Sequence, residues 1–103
     1  MYPDEKKKAS EELGIPVEVY DELLLEFIPD ALADIRGLGE AVKADDYDKA
    51  AQIAHGLKGM AGNLKLARIK NAAYDIETAS FGNKDKQAIM GKISELERDL
   101  FEL

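Results

Sequence analysis

Apolar residues recur at intervals of three and four along almost the whole chain, and strict alternation of apolar and polar residues is nowhere sustained. Intervals of three and four are typical of an amphipathic α-helix, whereas strands need an interval of two. The longest stripe runs from Val17 to Val42, and three more follow within residues 50–64, 66–79 and 89–103. The pattern predicts an all-α protein. Because the links between the stripes are short, these helices are expected to be antiparallel neighbours in an up-down four-helix bundle.

A short additional helix is expected before the bundle, because an amphipathic segment from Asp4 to Leu13 ends at Gly14. Within the longest helix, Pro29 lacks the backbone N–H that would bond to Leu25, so we expect a kink or a break there. The expected bounds of the five helices are about 4–13, 17–42, 47–64, 66–81 and 84–103, with Asp45 or Asp46 capping the third helix and Gly82 ending the fourth.

The composition limits both the size and the chemistry of the protein. At 103 residues, of which 46% are hydrophobic, the chain is expected to form a single domain over residues 1–103. It has no cysteine, and one histidine with scattered carboxylates makes no recognisable set of metal ligands. A net charge of −7 disfavours nucleic acid as a partner, and no apolar run is long enough to cross a membrane. We therefore expect a cytoplasmic, monomeric protein with no metal or cofactor of its own.

The third predicted helix carries the only histidine of the chain, His55. Counted at about 100° per residue, the apolar stripe of this helix centres near 350° and His55 lies at about 140°, so the imidazole is expected to face solvent. Its neighbours Ala51, Gly59 and Gly62 are small and leave room for a partner. Each glycine within a helix costs roughly 1 kcal/mol relative to alanine, and clearance for a docked protein would account for that cost. Close helix packing is the alternative, which we expect at Gly56.

The chemistry of this helix favours phosphoryl transfer. An exposed imidazole is largely neutral at pH 7, and its free nitrogen lone pair is a nucleophile. Lys58 stands three residues after His55, one helical turn away, where its ammonium can reach a phosphoryl group carried on the ring. A phosphoryl group bears a charge of about −2, which one lysine offsets only in part, so the group remains free to leave.

Residues 54–64 read Ala-His-Gly-Leu-Lys-Gly-Met-Ala-Gly-Asn-Leu, which resembles the AH-x-LKG-x-A-x-NL signature of histidine phosphotransfer (HPt) domains. The helices before and after this segment also follow the layout of that family. The resemblance implies that His55 is phosphorylated, that Lys58 interacts with the phosphate and that Gly59 admits a receiver domain. Many family members have glycine where this chain has Lys65. The expected docking surface consists of Gly59, Gly62, Gln52, Ala51 and Lys65.

The function implied by the resemblance is that of a phosphorelay intermediate. His55 would accept a phosphoryl group from the aspartyl phosphate of a response-regulator receiver domain and pass it to another receiver. The receiver would supply the aspartate and a Mg²⁺ ion, so this chain is expected to be a carrier and not an enzyme. A hybrid sensor histidine kinase is a second candidate partner. Two alternatives stay open: a phosphoacceptor domain of a larger histidine kinase, and a non-catalytic helical adaptor.

Overall fold

The computed structural model describes residues 1–103 and consists of five α-helices joined by short links, with no β-strand. The helices are α1 (Pro3–Leu13), α2 (Val17–Lys43), α3 (Tyr47–Asn63), α4 (Ala67–Phe81) and α5 (Lys86–Phe101). The prediction of an all-α protein with a short first helix is confirmed. None of the five helices combines the length and the apolar character that crossing a membrane requires.

Several helices begin or end at the residues that the sequence indicates. Gly14 follows α1 in the left-handed conformation, with φ 69°, which glycine adopts without a steric penalty. The Asp46 carboxylate caps α3 by accepting a hydrogen bond of 3.2 Å from a backbone N–H in the first turn. Gly82 follows the last residue of α4. The fifth helix starts at Lys86 instead of near residue 84, because the Asp85 side chain caps it.

Of the kink or break expected at Pro29, the break does not occur, because α2 runs as one helix through this residue. Pro29 is exposed, and so is Leu25, whose carbonyl loses its helical donor to the proline ring. On the opposite side of α2, Phe27, Ala31 and Ile35 are buried in the core. The buried side of the helix therefore keeps its packing across the proline, and the unbonded carbonyl lies on the side that water reaches.

Four of the helices surround the core. α2 packs against α3 and α5, and α4 also packs against α3 and α5, whereas α1 packs only on α2. The buried hydrophobic side chains form one cluster to which all five helices contribute. Its largest fully buried members are Tyr20, Leu38, Leu57, Ile76, Ile89, Leu96 and Val42.

Small side chains line the contact between α3 and α4. The Lys58 side chain of α3 meets the Glu77 side chain of α4, and this contact shows which sides of the two helices face each other. Several alanines stand three, four or seven residues from Lys58 or from Glu77, so they lie on the facing sides of α3 and α4. Each of them is at most 1% exposed. Alanine lets helix axes approach closely. We call this set the alanine seam: Ala51, Ala54 and Ala61 of α3 and Ala73 of α4.

The buried hydroxyl of Tyr20 connects the start of α2 to the end of α3. It donates a hydrogen bond of 2.6 Å to the backbone carbonyl of Leu64, the residue that follows α3. Burial, together with the neighbouring Asp21 carboxylate, raises the pKa of Tyr20, so the phenol keeps the proton that it donates. This bond fixes the end of the helix that carries His55.

Candidate functional site

The predicted outward orientation of His55 is confirmed. Its side chain is 69% exposed, although its neighbours Ala54 and Leu57 are fully buried. The ring lies on the α4 side of the open face of α3, since it reaches a residue of α4. A macromolecular partner can therefore reach the imidazole directly.

A carboxylate of α4 holds one nitrogen of this ring. The His55 Nδ1 atom lies 2.6 Å from Oε2 of Glu77, a hydrogen-bond distance. A carboxylate can only accept, so the neutral imidazole that makes this bond carries its proton on Nδ1. The lone pair of the neutral ring is then on Nε2, the nitrogen that is left for a reaction partner.

The same carboxylate binds the lysine that the sequence singled out. Lys58 Nζ donates a hydrogen bond of 2.7 Å to Glu77 Oε1 and lies 5.5 Å from the centre of the Tyr74 ring. The Lys58 side chain is 25% exposed and that of Glu77 only 12%. The Lys58 ammonium is therefore partly buried and paired within the protein.

The charge of Glu77 is stabilised by both partners. The hydrogen bond from Lys58 is the largest cause that lowers the pKa of Glu77, partial burial opposes it, and the contact with His55 lowers this pKa further. Glu77 is thus a carboxylate at neutral pH and offers one oxygen to each partner. With a neutral imidazole, the charges of His55, Lys58 and Glu77 sum to zero.

Glu77 was not predicted from the sequence, although it contacts both residues of the predicted site. One signal was present: Glu77 lies next to the buried Ile76 and four residues after the buried Ala73, at the edge of the apolar stripe of α4. A carboxylate at such an edge is expected to be half buried and to need a partner. Which residue of α3 it meets depends on the axial register of α3 against α4. The apolar stripe of either helix alone does not determine that register.

The glycines around His55 differ in their surroundings. A Cβ atom added at Gly59 or at Gly56 would meet nothing within 4 Å, and both residues are exposed. The expectation that Gly56 allows close helix packing is therefore wrong. Like Gly59, it leaves open space on the surface of α3. Gly62 is partly buried, because the Lys70 side chain lies 3.6 Å from the position of its missing Cβ. Gln52 is exposed, as expected.

Two residues of the expected docking surface do not lie on the open face of α3. Ala51 is 1% exposed and belongs to the alanine seam, because it stands seven residues before Lys58 on the side that α4 covers. Lys65 lies beyond the end of α3 and has a φ of 62°, outside the helical range. Its expected place on the docking surface of α3 is therefore wrong, because it does not belong to that helix. No group of three or more His, Cys, Asp or Glu side chains is arranged to hold a metal ion.

Comparison with known proteins identifies the family. The family model of the Hpt domain matches residues 22–103, which include most of α2 and all of α3, α4 and α5. The chain therefore belongs to the Hpt domain family, whose members carry phosphoryl groups on histidine and interact with receiver domains in phosphorelays. The segment before residue 22, with α1, lies outside the match. Searches of curated proteins and of solved structures gave no match.

Proposed function

We propose that this protein is a phosphorelay carrier in which His55 accepts a phosphoryl group from the aspartyl phosphate of one receiver domain and passes it to another receiver. The observation that carries the proposal is the contact of His55 Nδ1 with Glu77, because it directs the lone pair of an exposed imidazole to Nε2. Membership of the Hpt domain family supports the proposal.

In the first transfer, the Nε2 lone pair attacks the phosphorus of the aspartyl phosphate. The N–P bond forms, the bond between phosphorus and the aspartyl oxygen breaks, and the receiver's aspartate leaves as a carboxylate. Since Nδ1 keeps its proton, the phosphorylated ring carries a positive charge, which the Glu77 carboxylate 2.6 Å away stabilises. A Mg²⁺ ion bound by the receiver would stabilise the charge on the phosphoryl oxygens.

The return step benefits from the same contact. A ring that keeps the Nδ1 proton leaves phosphorus as neutral imidazole, which is a better leaving group than the imidazolate that a deprotonated ring would form. Lys58 is one helical turn from His55, and we propose that its ammonium binds phosphoryl oxygens once the group is in place. Glu77 thereby keeps the phosphoryl group transferable, and Lys58 steadies it.

We also propose that α2, α3, α4 and α5 form an up-down antiparallel four-helix bundle, a fold that presents α3 to a partner along its whole length. Each of the four helices packs on two others, and the links between successive helices are short, which favours antiparallel neighbours. The chain would act in the cytoplasm as a monomeric carrier. The receiver, or a hybrid sensor histidine kinase that contains one, would complete the chemistry.

The test is transfer of labelled phosphate from a panel of phosphorylated receivers. We expect an acid-labile, alkali-stable label on the wild-type protein and none on His55→Gln, which should fold normally because the imidazole is exposed. Gln87→Ala, at an exposed position of α5, is the matched control and should still be labelled. An intact wild-type protein that no receiver labels would contradict the proposal and favour a helical adaptor.

A further inference from the structure

The ammonium of Lys58 contacts two side chains of α4. It donates a hydrogen bond of 2.7 Å to Glu77, and its Nζ atom lies 5.5 Å from the centre of the Tyr74 ring. Tyr74 and Glu77 are three residues apart and therefore share one side of α4. An ammonium has three N–H donors, and Glu77 is the only hydrogen-bond acceptor that this one has in the protein. Two donors of Lys58 are thus left for another acceptor.

The Tyr74 ring contributes little to the core of the protein. The residue is 52% exposed and lies outside the cluster of buried hydrophobic side chains. Its hydroxyl makes no hydrogen bond within the protein, whereas the buried hydroxyl of Tyr20 does. A cation within about 6 Å of the centre of an aromatic ring is attracted to the face of that ring. The contact with Lys58 therefore accounts for an aromatic residue at a position where packing does not.

The ring lies at the Lys58 end of the site. Glu77 binds His55 with one oxygen and Lys58 with the other, so one carboxylate holds both the imidazole and the ammonium. Tyr74 stands one helical turn before Glu77 and contacts only the ammonium. Glu77 and Tyr74 together keep a long, flexible side chain in one place, which an exposed lysine without such contacts would leave.

A phosphoryl group on Nε2 of His55 would give the two free donors of Lys58 an acceptor. The attached group has three acceptor oxygens and a charge of about −2. In the loose transition state of its departure the group approaches metaphosphate, which carries less negative charge. An ammonium bound to these oxygens therefore stabilises the attached group more than the departing group. This effect depends on how firmly the ammonium is kept beside the imidazole.

We propose that Tyr74 is a positioning residue that keeps the Lys58 ammonium beside the phosphorylated imidazole and so prolongs the life of the phosphohistidine. This inference rests on the proposed function and adds a residue that acts through Lys58 without touching the phosphoryl group. The reaction that it slows is loss to water. The N–P bond breaks and its electron pair stays on Nε2, while the water oxygen bonds to phosphorus and releases a proton. The products are inorganic phosphate and a neutral imidazole protonated on Nδ1.

Tyr74→Leu is the central test, and Phe101→Leu is its matched control. Leucine keeps an apolar side chain without a π face, and Phe101 is 73% exposed on α5 with no cation over its ring. Phosphoramidate labels the proteins without a receiver, and the loss of label is followed at neutral pH. We expect Tyr74→Leu to lose its label about two- to five-fold faster than the wild type, which corresponds to about 0.5–1 kcal/mol for an exposed cation–π contact. Phe101→Leu should lose its label at the wild-type rate.

Two further variants show whether the ring acts through Lys58. Tyr74→Phe keeps the π face and should keep the wild-type lifetime. In a protein that also carries Lys58→Gln, Tyr74→Leu should have no further effect, because the ammonium that the ring positions is gone. Nuclear magnetic resonance reports the position directly: the ring should shift the Lys58 ε-methylene protons upfield in the wild type and in Tyr74→Phe, and not in Tyr74→Leu.

The outcomes separate this inference from the proposed function. If receivers label the wild type but Tyr74→Leu keeps the wild-type lifetime, the inference fails and the proposed function stands. An equal acceleration in the Lys58→Gln background, or a Tyr74→Phe protein as short-lived as Tyr74→Leu, would also overturn the role of the ring. If no receiver labels the wild type, the proposed function fails and this inference fails with it.

Discussion

Replacing Glu77 by glutamine tests how the imidazole is prepared for reaction. The carboxylate accepts one hydrogen bond on each oxygen, from His55 at 2.6 Å and from Lys58 at 2.7 Å. An amide has a single acceptor oxygen, so Glu77→Gln can serve only one of the two donors and loses the negative charge. We expect the imidazole to lose its preference for the Nδ1–H form, and the transfer at saturating receiver to slow.

The size of the effect follows from the strength and exposure of these bonds. A hydrogen bond that involves a charged group contributes about 1.5–3 kcal/mol, and exposure of the His55 ring places this one at the lower end. Since about 1.4 kcal/mol corresponds to a factor of ten, transfer should slow about ten-fold. The loss of the half-buried pair with Lys58 should lower the free energy of unfolding by about 1 kcal/mol, or the melting temperature by about 4 °C.

Single-turnover transfer and ¹⁵N spectra of the His55 ring measure the two consequences separately. Glu95→Gln is the control, because Glu95 also accepts from a lysine, Lys92, but on α5. It should leave both measurements unchanged. A Glu77→Gln protein that transfers at the wild-type rate, with its ring still protonated on Nδ1, would refute the assigned role of Glu77.

The pH dependence of stability gives an independent check on the same substitution. The pKa of Glu77 is lowered on folding, so its contribution is fully present above the ordinary value of 4.5 and is lost as the pH falls through the lower value in the folded state. The difference in unfolding free energy between wild type and Glu77→Gln should therefore shrink in urea titrations below about pH 4.5. A difference that stays constant down to pH 2 would contradict this assignment.

Two further substitutions test the open face of α3 and a partly buried carboxylate of α2. Gly59→Ala should raise the free energy of unfolding by about 0.5–1 kcal/mol, because its Cβ meets nothing within 4 Å, and it should weaken receiver binding. Gly91→Ala is the control, because this glycine of α5 is equally open. It should give the same gain in stability in thermal melts and leave transfer unchanged. Equal transfer by both variants would show that Gly59 is not needed for docking. Burial and the neighbouring Asp30 raise the pKa of Asp34, so its charge destabilises the folded state at neutral pH and ceases to do so below the ordinary value of 3.8. Asp34→Asn should therefore stabilise the protein in urea at pH 7 and not at pH 3, and an equal gain at both would point to another cause.

The sequence was most informative where the structure depends on local interactions. The stripes of apolar residues predicted the helices, and Gly14 and the Asp45-Asp46 pair predicted two of their boundaries, because caps and periodicity are properties of short segments. The orientation of His55 followed from the same periodicity. Of the kink or break expected at Pro29, the break did not occur, since the packing of the buried side of α2 outweighs the loss of one solvent-facing hydrogen bond.

The parts that could not be predicted depend on how the helices meet. Ala51, at about 100° on the helical wheel, lies near the boundary between the inner and outer sides of α3, and only the position of α4 decides that it is buried. Glu77 and the pairing of Lys58 depend on the relative sliding of α3 and α4, which no residue pattern within one helix records. Helical periodicity therefore located His55 on the open side of α3 but not the carboxylate that binds its ring.

Under the proposed function, the alanine seam makes the spacing of α3 and α4 a control on the reactivity of His55. His55, the proposed nucleophile, belongs to α3 and its carboxylate partner to α4, so the 2.6 Å contact lasts only while the two axes stay close. A bulkier residue at Ala73, one turn before Glu77, would push the axes apart and draw the carboxylate away from the ring. Carriers with identical docking faces could thus differ in the lifetime of their phosphohistidine through changes in their interiors, where no partner would detect them.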